Sequence, residues 1–324
     1  MVKTKTAALF PTGLSIINLA SSDAEEMREQ SVFWSFEHKQ FSRGAFEGKI
    51  NSFHTSRLQL SLAHRSVGII ARGGLPAKTT IISFPITPPK SLHYRGQLMK
   101  AYQVIALKHT EELELHTSLP TTMLTIAVST ALLEEQARAV NGNSFDSLRC
   151  QERINIHPKE YRKRTDHLVL LLKTLQGSNR TRNGDEEELL EKEILETFLL
   201  GAIPPDPSNK TPNRLYVAKK AAEYIRNNLK TSISIRDLCQ FVGSSERALH
   251  HGFKERFGVS PKAYHQIMRL NRVRKELLLN NVGKTVTDIA IDWGFHHPGR
   301  FPEQYSRMFG ELPSETRKKS IIDR

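Results

Sequence analysis

The sequence predicts an α+β chain: a β-rich N-terminal domain (sandwich or small barrel) with a helical appendage, then an all-α C-terminal domain of two helix pairs joined by a long helix. Three observations carry this. Apolar residues alternate with period two from about Ser31 to Val128, the period becomes helical after Ala127, and the last third contains an internal repeat. At 324 residues the chain has room for about two domains with cores of their own. The expected boundaries are 1–140 for the β-rich domain, 141–202 for the helical segment, 203–213 for a linker and 214–324 for the C-terminal domain.

The β-rich part shows short runs such as Phe33-Trp34-Ser35-Phe36, Leu58 to Leu62, Ile81 to Phe84 and Leu113-Glu114-Leu115. Turn-forming stretches, Arg72-Gly73-Gly74-Leu75-Pro76 and Pro88-Pro89-Lys90, separate them. Helices are expected over Thr130 to Val140, Pro158 to Gln176 and Asp185 to Gly201. The last places Leu189, Leu190, Ile194, Leu195, Phe198 and Leu199 on one side. Packing on its own domain is the commoner use of such a stripe, and a homodimer contact is the alternative. The segment from Ala202 to Asn213 carries four prolines, which cannot sit inside a helix, and little to bury.

The net charge is +13, and its position matters more than its size. From Arg214 onward 21 Lys and Arg face 11 Asp and Glu, whereas the first 213 residues hold 26 against 23. A polyanionic partner for the last third is the economical reading, with a solvated basic surface as the alternative. Cys150 and Cys239 lack metal or disulfide spacing. The stretch Ala7 to Ala20 behind Lys3 and Lys5 is interrupted by Pro11, Thr12, Gly13, Ser15 and Asn18, unlike a secretion signal. No run approaches the ~18 apolar residues of a membrane helix. A cytoplasmic protein without membrane contact is expected.

Within the last third, Ser234-Ile235-Arg236-Asp237-Leu238-Cys239 matches Thr285-Val286-Thr287-Asp288-Ile289-Ala290 at an offset of 51. Both are capping boxes in form: a hydroxyl accepts from the free amide three residues on, and the acid there reaches back. Gly243 and Gly294 each follow nine residues after the cap position, where a tight turn between helices needs relaxed backbone sterics. After one inserted residue, Leu249, Phe253 and Phe257 match Phe301, Tyr305 and Phe309, the four-residue spacing of one buried stripe. Gly258-Val259-Ser260-Pro261 and Gly310-Glu311-Leu312-Pro313 end the two copies alike. Each copy therefore reads as a helix-turn-helix, and the free face of its second helix has the form that enters a major groove.

In the first copy that face holds Arg247, His250, His251 and Lys254, behind Ser245 and Glu246 at the helix start. Arg247 suits a guanine edge, the histidines bases or phosphates, and Lys254 a phosphate. The second copy offers His297, Pro298, Gly299, Arg300, Glu303 and Arg307. Pro302 is expected to weaken its helix entry and Glu303 to repel phosphate. The first copy is thus expected to read bases, and the second to position the complex through His297, Arg300 and Arg307. Between them Pro261 to Asn280 reads as one helix of about 30 Å, near the ~34 Å between successive major-groove faces.

These residues resemble the AraC/XylS family of bacterial regulators. The likeness rests on Gly243 to Leu249, Phe253-Lys254 with Gly258 to Pro261, Arg269-Leu270-Asn271, and Ile289-Ala290 through Trp293-Gly294-Phe295 to Phe309-Gly310. The stretch Gly294 to Phe301 looks most like the branch that includes the ethanolamine-utilisation regulator. The resemblance implies a transcription activator whose partners are double-stranded promoter DNA and RNA polymerase, with a small-molecule effector or dimerisation function in a β-rich N-terminal domain. No cofactor is expected. No residue of the first 200 names an effector; Trp34, Phe36 and Phe84 are pocket candidates, though aromatics on strands are usually core. His54, His64, His93, His109 and His116 lack the pairing of a metal site. Against an enzyme stand the missing His-x-His cluster, phosphate loop and nucleophile elbow. The other alternative is a helix-turn-helix module that binds protein, which predicts no steep salt dependence with DNA.

Overall fold

In the computed structural model, residues 15–30, 36–86, 91–142, 144–145, 153–176, 184–200, 213–279 and 283–322 are described. The N-terminal part is a sandwich of two antiparallel sheets. The larger has the order β1 (Ser15–Ser21), β3 (Gly48–His54), β4 (Leu58–Arg65), β11 (Thr121–Ser129), β6 (Thr79–Pro85), β9 (Gln103–Lys108) and β12 (Arg153–Asn155). The smaller runs β2 (Glu37–Gln40), β5 (Ile69–Gly74), β10 (Glu112–Thr117), β7 (Leu92–Tyr94) and β8 (Gln97–Leu98). Helix α1 (Ala24–Gln30) packs beside β1 and β2.

The larger sheet is covered on both faces at its centre, while its edge strand β1 is not buried. One face meets the smaller sheet through Ile50, Ala63, Ile81 and Met123. The other carries Phe53, Leu60, Ile82 and Phe84 against three helices, α2 (Thr130–Asn141), α3 (Pro158–Gln176) and α4 (Gly184–Leu199). Strand β6 is consequently buried at every position, which is why Ile81 and Ile82 stand side by side instead of alternating with polar residues. Ile194, Leu195, Phe198 and Leu199 of α4 pack on this domain, while Leu189 is exposed.

The expected helices are present within a residue or two, and Gly201 lies outside the described residues. The segment expected to be wholly helical also supplies β12, three residues pairing with β9 around a fully buried Ile154. A run that short leaves no period to read. Of the expected linker, only Asn213 lies among the described residues, and it opens the next helix.

The C-terminal part is all helix: α5 (Asn213–Asn227), α6 (Ile235–Val242), α7 (Glu246–Phe257), α8 (Pro261–Leu278), α9 (Val286–Asp292), α10 (Phe301–Phe309) and α11 (Pro313–Ile322). Helix α8 serves two cores. Its first half gives Tyr264 and Met268 to a cluster with Leu238, Leu249 and Phe253; its second half gives Leu270, Val273 and Leu277 to one with Ile289, Phe301 and Tyr305. Phe41 and Ile70 of the sandwich join the first cluster, so the two parts of the chain share apolar packing. No helix among the described residues is long and apolar enough to cross a membrane.

Candidate nucleic-acid interface

Both capping boxes form. The Ser234 hydroxyl accepts from Asp237 N at 3.1 Å while Ser234 N donates to the Asp237 carboxylate at 2.9 Å; Thr285 and Asp288 repeat the pair at 3.1 and 2.8 Å. The bonds donated to the carboxylates, by Ser234 N to Asp237 and by the Thr285 hydroxyl and N to Asp288, hold each carboxyl below its usual range. Gly243 and Gly294 close the turns with φ of 63° and 80°, in the left-handed region. At Gly294 a Cβ would also sit 2.9 Å from the Arg269 guanidinium.

That contact explains Arg269. Its Nε donates to Leu229 O at 2.6 Å and its Nη2 to Thr231 O at 2.9 Å, so one side chain holds the α5–α6 loop of the first unit and lies against the turn of the second. Lys230 lies over the Trp293 ring at 4.9 Å, and Gln266 Nε2 donates to Gln304 Oε1 at 3.0 Å. A cleft of about 500 Å³ runs between the units, with Lys262, Arg269, His296 and His297 in its lining.

Helix α7 starts cleanly. The Ser245 hydroxyl accepts from Ala248 N at 3.3 Å, and twelve residues of helix follow. Leu249, Phe253, Arg256 and Phe257 are buried, and Arg247, His251 and Lys254 are exposed on the other side with His250 half-exposed. Carboxylates flank the histidines: Glu246 is 3.7 Å from His250 and Glu255 is 3.6 Å from His251. Lys254 Nζ donates to Gly258 O at 3.1 Å.

The second unit departs from the expectation at its helix entry. Helix α10 begins only at Phe301, with Arg300 in the cap position and no side-chain cap bond. Pro298, Gly299 and Arg300 form an exposed turn in place of a first helical turn. Pro302 therefore occupies the first turn of α10, where its missing amide has no intrahelical partner to lose, and it does not break the helix. His297, Arg300, Glu303 and Arg307 are exposed, and Arg307 pairs with Glu303 at 2.5 Å.

Sequence reasoning did not identify the contacts that seat both units on the sandwich. Arg256 of α7 turns away from the exposed face, pairing with Glu114 of β10 and donating to Arg95 O and Leu215 O, both at 3.2 Å. Arg274 of α8 donates to Asp23 and to Glu311, each at 2.6 Å. These carboxylates and the nearby Tyr305 raise the Arg274 pKa although burial opposes it. Lys275 pairs with Glu25. Gln40 Nε2 donates to Met308 O at 2.6 Å, and Asn271 Nδ2 to Gln40 O at 2.9 Å. The available signal was a charge inside an apolar stripe: Arg256 falls seven residues after Leu249, on the buried side.

A family model described as a helix-turn-helix domain matches residues 238–319. "XylDLEGF operon transcriptional activator 3" of Pseudomonas putida is 38% identical over 128 residues, 39% of this chain and 39% of that protein. "Probable thc operon regulatory protein" of Rhodococcus erythropolis is 34% identical over 100 residues, 31% of this chain and 30% of its own length. The chain carries an AraC/XylS-type helix-turn-helix domain. Among solved structures, a probable AraC family transcriptional regulator from Rhodopseudomonas palustris is similar at 33% identity, covering 32% of this chain and 97% of that one with a TM-score of 0.32. The chain thus spans about a third of the length of these two curated relatives. These relatives are described as regulators, not enzymes. Among the described residues no group of three or more His, Cys, Asp and Glu is placed to hold a metal.

Proposed function

We propose that this chain is a cytoplasmic, sequence-specific DNA-binding transcription regulator, an effector-responsive activator whose first helix-turn-helix reads bases and whose second mainly positions on the phosphate backbone. One observation carries the division of labour: α7 presents Arg247, His250 and His251 on a capped helix, whereas α10 starts late and pairs its Arg307 with Glu303. An arginine and two imidazoles on one helical side supply donors for base edges. His297 and Arg300, on an irregular turn, suit phosphate, and Arg307 becomes available once it leaves Glu303. Ser245 at the start of α7 and Lys254 at its far end lie where phosphate contacts fix register, and the Glu246 carboxylate suits a cytosine amine. Pro298 and Gly299 let the turn approach the backbone closely. The sandwich is the effector domain of this reading, RNA polymerase the partner at the promoter, and Leu189 on α4 belongs to the face open to a second copy.

The test is genome-wide mapping of bound DNA, then fluorescence-anisotropy titration of the best site over a salt series with wild type, Arg247→Ala and the His250→Ala/His251→Ala double variant. Enrichment at a few promoters, a steep salt slope and loss of discrimination in the variants are expected. Salt-insensitive binding, unchanged by the variants, would instead favour a module that binds protein.

A further inference from the structure

The space between the two sheets holds a cavity of about 90 Å³ with a polar floor and apolar walls. Gln59, Ser61, Ala63 and Arg65 are alternate residues of β4 and all line it. Beside them the register aligns Ser61 with Thr125 and Thr125 with Ser83, a row of hydroxyls across three strands. Ser83 and Thr125 hydroxyls lie 3.0 Å apart. Phe36, Ile50, Ile69, Leu113 and Met123 supply apolar wall. Of the aromatic pocket candidates, Phe36 lines the cavity; Phe84 points to the other face of the sheet, against Tyr161 and Phe198, and Trp34 lies outside the described residues.

Two polar atoms here lack partners. Arg65 Nε and Gln59 Oε1 are enclosed without a hydrogen bond among the described residues, and no carboxylate pairs with Arg65 among them. Burial lowers the Arg65 pKa to about 10, with no neighbouring charge to offset it. Arg65 is half-buried, and enclosing its Nε without a partner or counter-charge is costly; a carboxylate matches the guanidinium fork with two parallel bonds. The largely apolar wall would not solvate a dianion such as phosphate, and the volume excludes a nucleotide.

We propose that this cavity binds a small organic monocarboxylate, its carboxylate on Arg65, its polar substituents along Ser61, Thr125 and Ser83, and its hydrocarbon against Phe36, Ile50 and Met123. This names the effector class and rests on the reading of the sandwich as the effector domain.

The experiment is calorimetric titration of the full chain with butyrate, hexanoate and the uncharged hexanamide, in wild type, Arg65→Met and Ala71→Leu, with melting curves alongside. Ala71 lines the cavity, so leucine there fills it. One of the acids binds wild type at least about tenfold tighter than the amide, and both variants weaken it by at least about tenfold. Arg65→Met removes a half-buried charge that has no counter-charge and melts no lower than wild type; if it does not fold, Ala71→Leu decides. Equal affinity for acid and amide, undiminished binding in a folded variant, or no acid binding to folded wild type each overturns the proposal. DNA binding is measured separately. Sequence-specific DNA binding without acid binding sinks the carboxylate site alone, whereas acid binding without DNA binding sinks the regulator reading alone.

Discussion

The two helix-turn-helix units share a design and differ in what they present. Each opens with a capping box, Ser234–Asp237 or Thr285–Asp288, and closes its turn with a left-handed glycine. The next few residues separate them. Ser245 caps α7 at once, whereas His297 to Arg300 run through a turn and α10 forms only from Phe301. The buried halves barely notice, because Phe301, Tyr305 and Phe309 fill the places of Leu249, Phe253 and Phe257. A helix start thus sets how much regular helical face a unit exposes without altering the core behind it.

The seats on the sandwich differ too, and breaking them should give the largest effects. The first unit rests on Arg256 with Glu114, the second on Arg274 between Asp23 and Glu311. Arg256→Ala leaves Glu114 enclosed without its cation and should cost about 3–5 kcal/mol in urea denaturation of the full chain. A loss below about 1 kcal/mol would mean that water replaces the pair. Next comes DNA discrimination: Arg247→Ala should relax base preference by ~1–3 kcal/mol at its contact, while Arg300→Ala should weaken binding to all sequences alike and lower the salt slope by ~1. Base-selective loss in Arg300→Ala would reverse the assignment of the two units.

Acid should separate the seats. His116 is 3% exposed, edge-on to Phe41 at 4.3 Å and near Phe257 at 6.2 Å, with His93 stacked on it at 5.6 Å. Burial, then the His93 and Arg256 charges, lowers its pKa to about 3 from 6.5. The unfolded chain therefore binds this proton first, and stability is lost as pH falls from 6.5 towards 3, by up to ~1.4 kcal/mol per pH unit. Glu311 at the second seat is lowered from 4.5, with burial opposing the shift and Lys319, Thr316 and Arg274 producing it, so its contribution is lost only below 4.5. His116→Phe should flatten the pH dependence of the urea midpoint between 6.5 and 4.5; an unchanged slope would place the sensitivity on His93, His54 or His265, whose pKa values are also lowered. The smallest effects lie at the helix starts. Ser245→Ala should cost ~1 kcal/mol, and Pro302→Ala less than that, far from the ~3 kcal/mol of an interior proline. Thermal melts of the two variants measure the difference.

What the sequence disclosed follows the range of the forces involved. Capping boxes, turn glycines and four-residue stripes are settled by residues a few positions apart, so the duplicated unit and the ends of α3 were legible. That Arg247, His250 and His251 share the unburied side of α7 was legible because that side carries no apolar residue. Arg256 and Arg274 were not, since their partners Glu114 and Asp23 lie over a hundred residues away. The cavity was hidden for a related reason. Gln59 and Arg65 look like ordinary outward polar residues until helices on the other face turn their side of β4 inward.

The bridge made by Arg269, with Lys230 over Trp293, has a consequence for the operator. Two units locked to one strut cannot slide relative to each other, so in the proposed regulator they would impose a phase on the DNA. One base pair added between the two contacted segments turns the second by roughly 35° about the duplex axis. With no slack to absorb that turn or the ~3.4 Å rise that comes with it, binding would fall with each insertion and would not recover when a whole turn restored the facing, because the second segment would then lie ~34 Å too far along the duplex. The chain would then measure spacing as strictly as it measures sequence.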